Sequence, residues 1–228
     1  MKNNLKNKVA IITGGSGALG GIMALGLATQ GVKVAVLGRT ESTIQNKVDE
    51  IQKAGGYAIG LVANVLNRIE LEEAKDTILN TWNSIDILVN AAGGNMKGTT
   101  IMPEESFFDM NLDDFDAVTE LNLKGTVLPT LVFGKQMAKQ EEGTIINISS
   151  MAAQQALTRV VGYSTSKASN IAPSILVVGF ESISKPFVPK KSTIVVILTL
   201  YSLAALFNLF ALPAILFVKL YYLMYLIR

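Results

Sequence analysis

Between Lys8 and about Lys167 the sequence alternates short, β-branched apolar runs with longer stretches of mixed polar and apolar residues. This is the pattern of strands alternating with helices in a parallel sheet. The strand candidates are 9–12, 32–37, 58–62, 85–89 and 144–148, and they are almost wholly apolar rather than alternating, as strands covered on both faces must be. Helical patterns run over 18–30, 41–54, 68–81 and 113–140, and another begins near Tyr163. Gly31 and the pair Gly55-Gly56 stand where the first two helices end, because glycine accepts the left-handed conformation of a C-cap. Right-handed crossovers between parallel strands then give an open, doubly wound α/β sheet with a cleft at the carboxyl ends of its strands.

The chain has no cysteine and no histidine. Disulfides, thiolate nucleophiles, Ser-His-Asp catalysis and Cys- or His-ligated metals are therefore excluded. Any catalysis falls to carboxylates, Lys, Tyr, Ser or Asn. The acidic pairs Glu104-Glu105 and Asp113-Asp114 read as helix starts, where negative charge suits the macrodipole, and no metal is assigned to them. Net charge is +2, and no basic cluster interleaves with aromatics, which argues against nucleic acid as a partner. The N-terminus, Met1-Lys2-Asn3-Asn4-Leu5-Lys6, is polar and lacks the apolar run of a signal peptide, so a cytoplasmic catalytic part is expected.

After the first strand comes Thr13-Gly14-Gly15-Ser16-Gly17-Ala18-Leu19-Gly20, which opens a helix. Glycines at this junction let the backbone turn tightly and approach a pyrophosphate, whose charge rests on the free amides of the helix N-terminus. The cofactor-contact candidates here are Thr13, Gly14, Ser16, Gly17, Leu19 and Gly20. The second strand ends in Gly38-Arg39, with no carboxylate to accept from a ribose 2′-hydroxyl. A guanidinium there pairs with a 2′-phosphate, so the reading favours NADP while leaving NAD open.

Further along stand Val89-Asn90-Ala91-Ala92-Gly93-Gly94-Asn95, Leu121-Asn122-Leu123-Lys124-Gly125, Asn147-Ile148-Ser149-Ser150 and Tyr163-Ser164-Thr165-Ser166-Lys167. Taken in order with the glycine loop, these resemble the short-chain dehydrogenase/reductase family over residues 8 to about 170. That family carries a T-G-x-x-x-G-x-G loop, an N-N-A-G stretch, a helix Asn, and a Ser thirteen residues before Y-x-x-x-K; Ser150 and Tyr163 have that spacing. The stretches near Asn95 and Phe107, with N-L-K-G-T and I-I-N-I-S-S-M, are most similar to D-mannonate oxidoreductase (fructuronate reductase)-like members. Ala18 stands where the pattern has its second glycine. The resemblance implies a Rossmann-like fold and an oxidoreductase acting on CH-OH groups, here a sugar acid of the D-fructuronate/D-mannonate type. It also implies cofactor contacts from Asn90, Ala91, Ala92 and Gly93, with Asn64 near the adenine.

Oxidation of an alcohol or reduction of a ketone needs a group that moves a proton at the oxygen, and a phenol serves where a neighbouring charge favours its ionised form. Lys167 lies four residues after Tyr163, on the same helix face, so its ammonium stands beside that phenol. The resemblance makes Tyr163 and Lys167 catalytic, gives Lys167 the nicotinamide ribose, sets Ser150 on the substrate oxygen and has Asn122 support a proton-relay water. Ser149 is the neighbouring competitor of Ser150. From position alone, Asn95, Met151 and Gln155 are substrate-contact candidates.

The composition then changes. Mean hydropathy is positive and only 17% of residues are charged, and residues 194–218 are 25 residues with no charge. That length suffices to cross a hydrocarbon core of about 30 Å. Pro173 is expected to break the helix that begins near Tyr163. The organisation expected is a dinucleotide-binding domain over 1–185 and an apolar segment over 186–228. Three readings of the segment stay open: a membrane anchor with Lys185, Lys190 and Lys191 on the cytosolic side, a frame-shifted or rearranged gene end, or a buried strand and helix with Thr193 to Leu198 in the sixth strand position. Accordingly the functional alternative is a truncated, non-catalytic dinucleotide-binding remnant, membrane-held or not. The family implies a homo-oligomer, against which this C-terminus weighs.

Overall fold

The computed structural model describes residues 5–153, 159–169 and 193–198. Its strands are β1 (Val9–Thr13), β2 (Lys33–Gly38), β3 (Tyr57–Val62), β4 (Ile87–Asn90), β5 (Gly143–Ile148) and β6 (Thr193–Leu198). They form one sheet in the order β3-β2-β1-β4-β5-β6, and every pairing is parallel. The chain winds outward from β1 to β3, then crosses back to lay β4 on the other side of β1. A cleft follows outside the carboxyl ends of β1 and β4, where the direction of winding reverses.

Both faces of the sheet are covered. All five residues of β1 and all four of β4 are buried. Successive side chains point to opposite faces, so Ala10 and Ile12 pack with Ala24, Leu27 and Val48, while Val9 and Ile11 pack with Leu71, Ile78, Phe133 and Met137. The helices that supply these layers are α1 (Ala18–Thr29) and α2 (Glu41–Lys53) on one face, and α3 (Arg68–Trp82) and the long helix before β5 on the other. At the amino ends of the strands Lys8 bridges Asp86 at 3.0 Å and Glu142 at 2.8 Å, which ties β1 to the starts of β4 and β5.

The single helix expected over 113–140 is divided. α4 (Leu112–Thr119) runs into a π-helical turn, Glu120–Lys124, and α5 (Gly125–Gln140) follows. Hydrogen bonds explain the break in pattern. The Asn122 side chain donates to Val118 O at 2.9 Å, and Thr126 Oγ1 donates to Asn122 O at 2.9 Å, so side chains take over part of the backbone ladder. Pro129, inside α5, removes one further amide donor. π-turns of this kind are frequent at functional sites.

Of the three readings of the apolar segment, β6 agrees with the one that sets Thr193 to Leu198 in the sixth strand position. Thr193 to Leu198 pairs residue by residue with Gly143 to Ile148, so the sheet extends beyond residue 185 and the charge-free run begins as a strand. Its β-branched residues suit a strand beside β5. One continuous membrane helix over 194–218 therefore does not hold for its first five residues. Among the described residues, no helix is long and apolar enough to cross a membrane. The expectations placed on Gln155, on Pro173 and on 199–218 lie outside the described residues.

Candidate active site

The β1–α1 loop forms the floor of the cleft. Gly14 has φ +64°, and a Cβ there would stand 2.9 Å from Ala92 Cα, so the residue needs both the conformation and the bareness of glycine. At Gly20 a Cβ would fall 2.2 Å from Gly14 O, which leaves no room for any side chain. Thr13 is buried at the end of β1, where its Oγ1 accepts from the amides of Ala91 and Ala92, both at 3.1 Å. One hydroxyl thus fastens the tip of β1 to the chain leaving β4. Gly17 caps α1 without a side chain, and no acidic residue occupies the first turn. By contrast, Asn67 and Asn111 fill the N-termini of α3 and α4 with their own side-chain oxygens. Bare amides and a bare backbone at α1 fit a dinucleotide pyrophosphate.

Above this floor lies a cleft of about 430 Å³, walled by Gly14, Ser16, Gly17, Ala18, Leu19 and Gly20, by Gly38 to Thr40, and by Ala91 to Gly93. Arg39 is exposed on its wall and makes no ion pair among the described residues. Ser16 Oγ and Thr43 Oγ1 share a hydrogen bond of 3.1 Å beside it. Thr43, Ala63, Val65 and Leu121 also line the cleft. The sequence reading missed these four. Thr43, in the first turn of the helix after Arg39, carried a local signal, whereas Leu121 reaches the cleft only through tertiary packing.

Two expected cofactor contacts have side chains engaged in the fold itself. Asn90 is 2% exposed, and its Nδ2 donates to Thr130 Oγ1 at 3.0 Å and to Asn147 Oδ1 at 2.8 Å. Its side chain locks β4 to β5 and α5, and only its successors reach the cleft. Asn64 spends its Oδ1 on the amide of Leu66 at 3.0 Å, in a turn that leads into α3, while its neighbours Ala63 and Val65 form the wall. Asn95 likewise folds its own loop, donating to Thr100 Oγ1 at 2.7 Å and accepting from Thr99 Oγ1 at 3.0 Å. Met151 begins a short turn after β5 and is half-buried.

Beyond Gly93 the remaining candidates converge. A Cβ on Gly93 would stand 2.4 Å from Asn122 Oδ1 and 3.1 Å from Lys167 Nζ, so these groups pack against the far end of the cleft wall. Asn122 is fully buried in the π-turn and grips Gly94 from both sides, accepting from its amide at 3.1 Å and donating to its carbonyl at 2.8 Å. Its Nδ2 also reaches Ser166 Oγ at 3.0 Å. Ser166 in turn donates to Tyr163 O at 2.9 Å, which docks the π-turn on α6 (Val161–Ser169). Nothing in the sequence pattern singled out Ser166.

Tyr163 and Lys167 share one face of α6, with Lys167 Nζ 5.8 Å from the centre of the Tyr163 ring. Lys167 is 5% exposed and donates to Ile148 O at 3.1 Å, with no carboxylate beside it among the described residues. Burial without a counter-charge lowers its pKa to about 8. The adjacent serines separate by their bonds. Ser149 Oγ donates to Lys167 O at 3.0 Å, whereas among the described residues Ser150 Oγ only accepts, from Ala152 N at 3.2 Å.

A doubly wound parallel sheet with a bare glycine loop at its switch point defines a dinucleotide-binding α/β protein. The short chain dehydrogenase profile matches residues 8–172, and the chain belongs to that family. Uncharacterized oxidoreductase UxuB of Bacillus subtilis is 44% identical over 177 residues, which span 74% of this chain and 64% of that protein. The 3-oxoacyl-(acyl-carrier-protein) reductase of Synechocystis is 39% identical over 165 residues, 72% of this chain and 64% of that one. The chain thus spans less than two thirds of the length of these curated relatives. A crystal structure from Haemophilus influenza, provisionally described as a D-mannonate oxidoreductase and holding bound NAD, has a TM-score of 0.72 at 36% identity, covering 79% of this chain and 69% of that one.

Proposed function

We propose that the chain binds NADP and carries the catalytic groups of an oxidoreductase that interconverts a sugar-acid ketone and its alcohol, of the D-fructuronate/D-mannonate type. The observation that carries this reading is Lys167: a buried ammonium with no counter-charge among the described residues, beside a phenol and behind the wall of the cleft. Burying an unpaired charge is costly and is kept where it serves a site. The D-mannonate relative supports the substrate class. That relative holds NAD, and the preference for NADP rests on Arg39 at the cleft wall and the absence of a carboxylate there.

The cofactor would be held by the α1 amides at its pyrophosphate, by Arg39 at a 2′-phosphate, by Ala91 to Gly93 along its length and by Lys167 at the far ribose. When bound, the reduced nicotinamide supplies two electrons and one hydrogen to the carbonyl carbon. Tyr163 supplies the other hydrogen: its O–H bond breaks and the proton passes to the carbonyl oxygen, leaving a phenolate that the Lys167 ammonium stabilises. Ser150, which among the described residues donates to no protein acceptor, donates to the same oxygen and orients it. Asn122 holds Gly94 and α6 in register, which keeps the phenol and the cleft wall in one geometry.

The test is turnover of D-fructuronate with NADPH by the full chain, followed through nicotinamide absorbance. Tyr163→Phe is expected to lower turnover by roughly 100-fold or more, with NADPH affinity changed less than about threefold. Equal turnover in Tyr163→Phe would remove the phenol from the reaction.

A further inference from the structure

Two consecutive residues at the exit of β5 hold Lys167 at both of its ends. Ile148 O accepts from the ammonium at 3.1 Å, and Ser149 Oγ donates to the lysine's own backbone carbonyl at 3.0 Å. Ser149 is 2% exposed, and its single proton is spent on this bond, so it has none to offer a substrate. A lysine is a point charge on a flexible stem of four carbons. Anchored at its tip alone, its head and its helix are free to shift against the sheet; anchored also at its root, the path from backbone to ammonium is fixed.

We propose that Ser149 is a positioning residue for Lys167: its hydroxyl pins the root of the lysine to the end of β5 and so keeps the ammonium at the far end of the cleft, beside Gly93 and Tyr163. This rests on the dinucleotide-binding reading above, in which Lys167 meets the far ribose. Ser149 and Ser150 therefore divide the work of the paired serines, one acting through Lys167 and the other on the substrate oxygen. A displacement of about 1 Å at such a site is enough for large losses.

The experiment is a double-mutant cycle on the full chain, with Ser149→Ala, Lys167→Met and the double variant, read as the dissociation constant for NADPH by fluorescence titration. Ser149→Ala is expected to weaken binding about tenfold while melting cooperatively, and to weaken Lys167→Met by less than about twofold further. Losses that simply multiply, wild-type affinity in Ser149→Ala, or loss of its cooperative melting each overturn the proposal. A second measurement needs no cofactor: the ionisation of Lys167, followed by lysine side-chain NMR, should move in Ser149→Ala from about 8 toward the ordinary 10.5 as the ammonium slips toward water. An unchanged titration overturns the proposal even if wild-type protein binds no NADPH, which by itself would overturn only the dinucleotide reading.

Discussion

The ammonium of Lys167 lies 5.8 Å from the centre of the Tyr163 ring, buried and without a neighbouring carboxylate among the described residues. That relationship has a consequence for stability as well as for chemistry. Below pH 8 the lysine is charged in the folded and the unfolded chain alike, and the cost of burying it is fully present. Between about 8 and 10.5 the folded chain releases the proton while the unfolded chain keeps it, so stability rises with pH across this window. The gain is at most about 3 kcal/mol. Urea denaturation of cofactor-free wild type and Lys167→Met at pH 7.5 and pH 10 isolates it, and wild type should gain relative to the variant. A difference that stays constant between the two pH values contradicts the burial of an unpaired charge.

The glycine loop yields a graded prediction. A Cβ at Gly20 overlaps Gly14 O at 2.2 Å, whereas at Gly17 it would stand 3.2 Å away on an ordinary backbone conformation. Gly20→Ala should therefore displace the loop, destabilise the chain by about 1–3 kcal/mol and remove measurable NADPH binding. Gly17→Ala should cost less than about 1 kcal/mol. Equal effects of the two substitutions on melting and titration would mean that the loop does not approach itself as described.

How much of this was legible in advance depends on the range of the interaction. β1, β2, β4 and β5 were readable because burial on both faces leaves a continuous apolar run, the edge strand β3 because its run is apolar although half of its residues are exposed, and Gly14 and Gly20 because backbone contact requires bareness. Tyr163 and Lys167 were readable because a shared helix face follows from spacing. Asn90 and Asn64 fit the pattern of cofactor contacts, and the folded chain adds what spacing does not show: Asn90 Nδ2 donates to Thr130 and Asn147, and Asn64 Oδ1 accepts within a local turn. The π-turn at Glu120–Lys124 has helical periodicity on both sides, so its extra residue leaves no mark in the sequence. Thr193–Leu198 was readable as a sixth strand from its β-branched run, but the length of the charge-free segment left a membrane helix open beside it, and only the pairing with β5 separates the two for these residues.

Thr13 supplies one acceptor for two amides, at Ala91 and Ala92. Thr13→Val keeps the shape but strands both donors, and a lost partner of this kind costs about 1–3 kcal/mol. Thr13→Ser keeps the oxygen and should stay within about 1 kcal/mol of wild type in urea denaturation. Because the same hydroxyl fastens the two strand tips that flank the cleft, Thr13→Val should also weaken NADPH binding. Unaltered affinity in a clearly destabilised Thr13→Val would separate the fastening from the site.

Arg39 decides between the two dinucleotides. It is exposed at the cleft wall, with no ion pair among the described residues to occupy it and with the hydroxyls of Ser16 and Thr43 nearby. A guanidinium on a 2′-phosphate makes charge-assisted bonds worth roughly 1.5–3 kcal/mol, or about 10- to 150-fold in affinity. Wild type should therefore bind NADPH more tightly than NADH, and Arg39→Ala should lose that margin with little change toward NADH. Since the pair is exposed, raising the salt concentration should narrow the margin in wild type and leave Arg39→Ala unaffected. Arg39→Asp should go further and favour NADH, because a carboxylate repels the 2′-phosphate but accepts from a 2′-hydroxyl. Fluorescence titration of the three proteins with both dinucleotides reads each of these effects. A wild-type preference for NADH, or an Arg39→Ala variant that keeps the NADPH preference, would take Arg39 out of the site and return the chain to NAD, the cofactor held by its D-mannonate relative.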